Sequence, residues 1–157
     1  MEIPPVKLFP FVYRPEYRSK WDKSLQSYKI VERIDQVILK TMSFQTHISM
    51  PCQWTAVDSH LSGKSPNFAA FYYFAISVVH PNLPPTPAYI RGTTFSSGYA
   101  CLPLPGNPEH TKLMMVVQVD LGGFLMPSVI NSVMPMSLIN FVTDCKSGLK
   151  MLRQSGT

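Results

Sequence analysis

Cysteine is scarce in this sequence of 157 residues, and the few cysteines present show no cross-linking or metal-binding pattern. Cys52, Cys101 and Cys145 are odd in number, widely spaced and outside any CxxC or cysteine–histidine arrangement. Neither a disulfide framework nor a zinc site is therefore indicated. Reduced thiols are typical of cytosolic proteins, so we predict a cytoplasmic location.

Long hydrophobic runs are also missing. Nowhere do about eighteen apolar residues follow one another, which argues against an ordinary transmembrane helix. The first ten residues, MEIPPVKLFP, contain three prolines and no continuous apolar core, so they lack the pattern of a signal peptide. We expect this proline-rich start of the chain to be extended.

Catalytic and metal-binding motifs are absent from the sequence as well. The four histidines have no partner at metal-ligand spacing, and no serine or cysteine lies in a nucleophile motif such as GxSxG. We therefore predict a protein that is not an enzyme and has no cofactor. The net charge is +5, but no run of like charges accompanies it. Attraction to anionic surfaces is expected, whereas a nucleic-acid partner is not.

Alternating and β-branched stretches dominate the rest of the chain. They predict a short helix near residues 16–25 and then strands at 28–34, 37–42, 68–79, 89–94, 99–102 and 113–121. Residues 80–87, HPNLPPTP, hold four prolines and must form an ordered loop. Residues 43–67 show no sustained period, so we interpret them as a loop with uncertain strand content.

The predicted strand at 113–121 is apolar on both faces. One face carries five apolar residues: Leu113, Met115, Val117, Val119 and Leu121. The centre of the other face, Met114 and Val116, is apolar too. Two interpretations remain open. The methionines either fill an ordinary core or form a wall that adapts to a bound ligand, for which their flexible side chains are suited.

Apolar residues recur at three- and four-residue spacing from Pro127 to Leu152, which predicts one long amphipathic helix. Pro135 should kink or restart this helix because proline removes a backbone donor. A short helix, many antiparallel strands and a long final helix indicate an α+β domain in which the helix closes over a curved sheet. Gly122 and Gly123, together with Pro135, are expected to let the first turns of the helix move as a lid.

Four segments together resemble the StAR-related lipid-transfer (START) family, especially its small soluble sterol-carrying members. They are WDKSLQSYKIVERID at 21–35, HPNLPPTPAYIRG at 80–92, SGYACLPLPGNPEHTKL at 97–113 and QVDLGGFLMPSVINSVMPMSLINFVTDCKSGLK at 118–150. The resemblance implies a helix-grip fold, in which a curved antiparallel sheet wraps around the long C-terminal helix. It also implies that residues 1–157 form one lipid-binding domain, which holds a single sterol or similar lipid in an internal tunnel and moves it between membranes.

The sequence departs from the family pattern in two places. The family's N-terminal helix and first strands precede the Trp21–Asp22 element, so we expect the N-terminal strands to be missing and the domain to be partial. Residues 43–67 lack the family's arginine–aspartate pair and the cavity arginine that is thought to anchor a sterol hydroxyl. We therefore expect ligand selection to depend mainly on shape.

The resemblance also suggests which residues contact the lipid. The candidates are Arg91, Met115, Val117, Val119, Phe124, Val133, Met134, Leu138, Phe141 and Val142. Arg91 is either a charged anchor near the tunnel mouth or under the proline-rich loop, or a rim arginine on an antiparallel strand. Trp21 and Asp22 are interpreted as a packing and capping pair.

The surface of the final helix could also contact membranes, which is the next expectation. Lys146, Lys150 and Arg153 form a basic stripe on the final helix, which is either a solvated helix end or a site of transient contact with anionic membranes. We expect a monomer. The rival hypothesis is a shortened family member that has lost lipid transfer and acts as an interaction or regulatory fragment.

Overall fold

The structure is a computed structural model that describes residues 1–34, 38–46, 53–66, 69–123 and 127–155. Its helices are Pro5–Tyr13 (α1), Pro15–Arg18 (α2) and Pro127–Ser155 (α3). Its strands are Leu25–Arg33 (β1), Ile38–Thr46 (β2), Gln53–Lys64 (β3), Phe71–Ser77 (β4), Ile90–Arg91 (β5), Thr93–Thr94 (β6), Ser97–Leu104 (β7), Asn107–Val116 (β8) and Val119–Asp120 (β9).

The strands form one large sheet and one small ladder. The large sheet runs β1-β2-β3-β4-β7-β8 with antiparallel neighbours, and β5 pairs in parallel with β3. The small ladder joins β6 to β9. Among the described strands, β1 and β8 are not paired with each other, so the sheet is open. The predicted α+β class, a curved sheet with a long C-terminal helix, is confirmed.

The prediction of a loop at residues 43–67 is wrong, because β3 is a twelve-residue strand in the middle of the sheet. It pairs with β2 on one side and β4 on the other. Ladders of backbone hydrogen bonds on both sides stabilise a strand even where polar residues obscure its alternating pattern. Asp58 and Ser59 lie in this strand and hid it from the sequence pattern.

The prediction of an extended N-terminus is also wrong, because α1 is a nine-residue helix. Pro5 occupies its first turn, where a missing N–H costs nothing. Leu8 and Val12 follow at helical spacing and are fully buried. Arg14 precedes Pro15 and is extended, which ends α1 and separates it from α2. Pro5 and Pro15 therefore lie at the starts of helices and Pro10 lies inside α1, so the proline content did not exclude helices here.

Three further boundaries differ from the prediction. The helix near 16–25 is only the four-residue α2, and the strand at 89–94 is divided into β5 and β6. The strand at 113–121 breaks after Val116, because the chain turns away from β7 there. After this break, the Ser97 hydroxyl holds the chain at Gln118. It accepts a hydrogen bond from the Gln118 N–H at 2.8 Å and donates one to the Gln118 carbonyl oxygen at 3.1 Å. Residues 35 and 36, between the predicted strands at 28–34 and 37–42, lie outside the described residues.

The core lies where the C-terminal part of α3 meets α1. Cys145 and Leu149 are buried, and a Cβ added to Gly148 would lie only 2.5 Å from the Trp21 Cβ. The Trp21 ring stacks on Phe11, and its Nε1 donates a hydrogen bond to the Phe11 carbonyl oxygen at 3.0 Å. Trp21 thus joins both helices, in agreement with its predicted packing role. The helix α3 continues through Pro135 without interruption.

The glycine pair before α3 has a fixed and unusual conformation. Gly122 has φ +67° and Gly123 has φ +71°, a region that residues with side chains rarely adopt. A Cβ on Gly122 would also lie 3.0 Å from the Arg91 carbonyl oxygen. Alanine substitutions here would strain the backbone, so they do not test the lid hypothesis in the simple way that the sequence suggests.

Candidate lipid-binding site

A cavity of about 220 Å³ lies on the inner face of the large sheet. Its walls come from the junction of α1 and α2, the inner faces of β1 to β4 and β7, and residues 116–121. None of the described α3 residues lines this cavity. The site therefore lies between the sheet and the N-terminal helices, whereas the sequence suggested a tunnel between the sheet and α3.

Arg18 provides a positive charge in the cavity wall. Its Nε donates a hydrogen bond to Asp22 Oδ2 at 2.8 Å, and its Nη1 donates one to the Tyr99 hydroxyl at 3.4 Å. Its guanidinium lies 5.4 Å from the centre of the Phe141 ring. Burial by itself would raise the pKa of Asp22, but the Arg18 charge and hydrogen bonds from Ser24 hold that pKa below its ordinary value. Asp22 therefore stays ionised and balances Arg18.

Tyrosine hydroxyls surround this charged pair. The rings of Tyr73 and Tyr99 stack with centroids 4.6 Å apart, and their hydroxyls are hydrogen-bonded. Burial raises the pKa of both, and it raises the pKa of Tyr28 to about 12. All three remain neutral at physiological pH and can exchange hydrogen bonds with an uncharged polar group.

Asp58 adds a second carboxyl, contributed by the central strand β3. Its side chain accepts hydrogen bonds from Ser77 Oγ at 2.7 Å and from Thr94 Oγ1 at 3.4 Å. Burial raises the pKa of Asp58, and the two hydroxyls and the Arg91 charge oppose part of this rise. The residue is only 8% exposed, so its remaining contact with solvent is through the cavity.

Apolar side chains complete the walls. Leu25, Ala75, Val117, Val119 and Leu121 line the cavity beside the polar groups. A cavity with one apolar wall and a few hydrogen-bonding groups suits an amphiphilic molecule, because each part of the ligand meets matching chemistry.

The structure distributes the sequence-predicted contact residues over several places. Val117 and Val119 line the main cavity, whereas Met115 and Val142 line a separate hollow of about 300 Å³ under α3. Phe141 packs edge-on against Trp21. Val133 is buried, Met134 is half-buried and Leu138 is 38% exposed. Phe124 lies outside the described residues.

Arg91 is not among the residues that line the cavity. Its Nη2 donates to the carbonyl oxygens of Leu83 and Pro84, each at 3.3 Å. It therefore contacts the proline-rich loop at 80–87. Its influence on the cavity is indirect, through the effect of its charge on the pKa of Asp58.

Sequence reasoning missed most of the polar residues in the cavity. Arg18, Tyr28, Asp58, Tyr73 and Tyr99 were not among the candidates. The four-residue spacing of Arg18 and Asp22 was a local signal for an ion pair. No comparable signal marked Asp58, because its partners Ser77 and Thr94 belong to distant segments.

Comparison with known proteins identifies the family. The family model described as START domain matches residues 2–155 of the chain. The chain belongs to the START family. This START domain is 36% identical over 152 residues to StAR-related lipid transfer protein 6 of Homo sapiens, covering 95% of the chain and 68% of that protein. It is 31% identical to StAR-related lipid transfer protein 5 of Bos taurus, covering 85% of the chain and 63% of that protein.

Solved structures agree with this assignment at the level of the fold. Human StAR-related lipid transfer protein 5 superposes on this START domain with a TM-score of 0.90 at 24% identity, over 98% of the chain and 73% of that structure. START domains are lipid-binding and lipid-transfer proteins and not enzymes, which confirms the prediction that the chain has no catalytic activity. The chain spans about two thirds of the length of its curated relatives.

A membrane-spanning helix and a metal-binding cluster are both absent from the described residues. No helix there combines the length and hydrophobicity needed to cross a membrane. No group of three or more histidine, cysteine, aspartate or glutamate side chains in that part of the chain is arranged to hold a metal ion. The buried thiols Cys101 and Cys145 are not bonded to each other, and burial raises the pKa of each to about 12.

Proposed function

We propose that this START domain binds one sterol, or a lipid of similar size, in the cavity of the large sheet and carries it between membranes. The observation that supports this proposal most is the chemistry of the cavity. Val117 and Val119 offer an apolar wall, while Arg18 and Asp58 offer polar groups to a lipid headgroup. The START relatives with lipid-transfer names are consistent with the same role.

The physical task of such a carrier is to shield the lipid from water. Each methylene of a lipid that enters water costs about 0.8 kcal/mol, which makes unassisted transfer between membranes slow. An apolar wall inside a protein removes most of this cost during transit. The carrier needs no chemical step, since binding and release alone complete the transfer.

Entry of the lipid requires a wall to move. The cavity of about 220 Å³ is smaller than the roughly 300–1,000 Å³ of typical ligand pockets. We propose that the wall formed by residues 117–121 moves to open the site, together with the first turns of α3, because these residues line the cavity and precede that helix in the chain. The C-terminal part of α3, packed on Trp21 through Gly148, would stay fixed.

We also propose transient contact with anionic membranes in the cytoplasm, with the domain acting as a monomer. Lys146 and Lys150 are exposed on α3, and the chain carries a net charge of +5. Each basic residue near an anionic surface contributes about 1 kcal/mol of attraction. Exchanging both lysines for glutamate should slow transfer to anionic vesicles and leave transfer between neutral vesicles unchanged.

Transfer of a fluorescent sterol between vesicles tests the main proposal. The protein should accelerate transfer, and lipid extracted from it should approach one equivalent. Val119→Asp should abolish binding, because Val119 lines the cavity, whereas Val79→Asp at a 98% exposed position should have no effect. Absence of bound lipid together with absence of transfer would refute the proposal.

The alternative function, a protein-interaction fragment, is favoured by one observation. Phe74 and Val116 are exposed on β4 and β8, and both are paired to Gly98 between them. Leu61 extends the same row onto β3 and is exposed too. Under this alternative, a variant such as Phe74→Lys would disrupt association with a partner, and the cavity variant Val119→Asp would not.

A further inference from the structure

The proline-rich loop at 80–87 lies outside the lining of the lipid cavity and presents a threonine between prolines. Its centre reads Pro84-Pro85-Thr86-Pro87, and all four residues are exposed. No regular secondary structure includes residues 84–86. A residue that precedes proline is kept out of the helical region, which favours an extended backbone at Pro84 and at Thr86. The loop therefore carries an exposed threonine on an extended segment.

This segment is held at both ends. The Leu83 N–H donates to the His80 carbonyl oxygen at 3.0 Å, and the Tyr89 N–H donates to the Thr86 carbonyl oxygen at 3.4 Å. Arg91 Nη2 adds its two hydrogen bonds to the carbonyl oxygens of residues 83 and 84. An exposed segment whose ends are fixed loses little conformational freedom when an enzyme binds it.

Two hydroxyl residues in the sequence are followed by proline, Ser65 and Thr86. Proline-directed protein kinases select proline at that position because it has no N–H to leave unpaired in their binding site. Those that also favour proline two residues earlier match Pro84 but not Gly63. Ser65 is half-buried, and its N–H donates to the Ala70 carbonyl oxygen at 2.9 Å. Sequence and exposure therefore both favour Thr86 over Ser65.

We propose that Thr86 is a phosphorylation site for a proline-directed protein kinase and that Arg91 receives the phosphate. In the transfer, Thr86 Oγ1 forms a bond to the γ-phosphorus of a nucleoside triphosphate, and the bond from that phosphorus to the β–γ bridging oxygen breaks. The nucleoside diphosphate leaves, and the hydroxyl proton passes to a carboxylate of the kinase. The inference is independent of the proposed lipid binding.

Arg91 is within reach of a phosphate on Thr86. Its Nη2 lies 3.3 Å from the Pro84 carbonyl oxygen, and the two residues from Pro84 to Thr86 span at most about 7 Å. The turn that closes at Tyr89 brings Thr86 back towards β5, which carries Arg91. A phosphate carries about 1.5 to 2 negative charges, so it binds a guanidinium more strongly than a neutral carbonyl does. We expect Arg91 to exchange a carbonyl contact for the phosphate.

Treatment of the folded protein with a mitogen-activated protein kinase and ATP is the first test. Mass spectrometry of the digested protein should find one phosphate, on the peptide that contains Thr86. Thr86→Val removes the hydroxyl and should abolish the modification. Pro87→Ala keeps the hydroxyl but adds an unpaired N–H, which should slow phosphorylation at least about tenfold.

Ser65→Ala is the matched control and should be phosphorylated as fast as the unaltered protein. Urea unfolding checks that the three variants stay folded. No phosphate on Thr86, a phosphate on Ser65 in its place, or an unchanged rate in Pro87→Ala would each overturn the inference.

The pKa of the attached phosphate tests the role of Arg91. Phosphothreonine has a second pKa of about 6, and a guanidinium lowers that pKa because it favours the dianion. Phosphorus NMR of the phosphorylated protein should find the lowered pKa, and the phosphorylated Arg91→Gln variant should return it to the ordinary value. Glutamine still donates to the loop carbonyls, so the loop should keep its shape. Lys150→Gln removes a charge from α3 instead and should leave the pKa lowered. Equal pKa values in the unaltered protein and Arg91→Gln would overturn the assignment of Arg91.

Discussion

Neighbouring residues on the same strands of the large sheet have opposite environments. On the inner face, Tyr73 of β4 pairs with Tyr99 of β7, and Tyr99 pairs with Met115 of β8. One residue further along β4, Phe74 begins a second, outer row that continues through Gly98 to Val116, and Phe74 and Val116 are both exposed, although Gly98 and Val116 also border the cavity. Tyr73 is 9% exposed, whereas Phe74 is 54% exposed.

This comparison explains the strand that is apolar on both faces. Met115 lies on the inner face, and Met114 and Val116 are about half exposed. The second apolar face of β8 is therefore largely a surface and does not form a second wall of the core. Residue type alone did not show this difference, because both faces of a strand can be apolar for unrelated reasons.

The largest expected effect comes from truncating the inner row and the outer row at adjacent positions. Tyr73→Ala removes a buried aromatic ring and should lower the free energy of unfolding by about 3–5 kcal/mol. Phe74→Ala removes an exposed ring and should lower it by less than about 1 kcal/mol. Urea unfolding of both variants measures the difference. Similar losses would show that the outer row is buried in solution.

A smaller loss in the free energy of unfolding is expected at Gly98, where β7 lies close to the backbone of β4. A Cβ on Gly98 would lie 2.2 Å from the Tyr73 carbonyl oxygen and 3.0 Å from the Phe74 ring. Gly98→Ala should therefore destabilise the fold by about 1–3 kcal/mol through overpacking.

Gly106→Asn is the control for this substitution. Gly106 has φ +78°, which asparagine tolerates, and a Cβ there meets no atom within 4 Å. The free energy of unfolding of the Gly106→Asn variant should stay within about 0.5 kcal/mol of the wild-type value. A loss in the control as large as that in Gly98→Ala would mean that any glycine replacement is costly in this hairpin.

The two buried carboxyls of the cavity region should respond to pH in opposite directions. The pKa of Asp22 is below its ordinary value of 3.8, so its ionised form stabilises the fold above that pH, and this contribution is lost as the pH falls through the folded-state pKa. The pKa of Asp58 is raised, so its ionisation destabilises the fold at neutral pH and has no effect well below pH 3.8.

Matched asparagine variants test these signs. At pH 7, Asp22→Asn should lower the free energy of unfolding and Asp58→Asn should raise it. Both differences should shrink as the pH is lowered towards 3. Urea unfolding at several pH values measures them, and a change of the same sign in both variants would contradict this assignment.

The smallest effect on stability is expected for a charge placed on the outer row. Phe74→Lys should leave the free energy of unfolding nearly unchanged but weaken association of the domain at high protein concentration, because the exposed apolar row is interrupted. Sedimentation velocity at increasing protein concentration measures the association. If the wild-type protein is monomeric at all concentrations, the outer row does not cause association in this chain.

Local patterns in the sequence were sufficient for much of the fold. The β-branched and aromatic residues of β4, the alternation in the second half of β8 and the apolar stripe of α3 depend on residues that are close along the chain, and these parts were predicted. Resemblance over four segments supplied the family. Local patterns failed at α1 and β3. In α1 the prolines were given more weight than the apolar spacing, and in β3 the stability comes from pairing with β2 and β4.

The sequence by itself therefore determined the α+β class and the family of this START domain. Only the tertiary structure decided the site, because Arg18, Asp58 and Tyr99 come from three separate segments and meet at one cavity. The physical reason is that a polar side chain becomes a binding group through burial and through the hydrogen bonds that orient it. Both depend on which strands become neighbours, and no short stretch of the sequence records that.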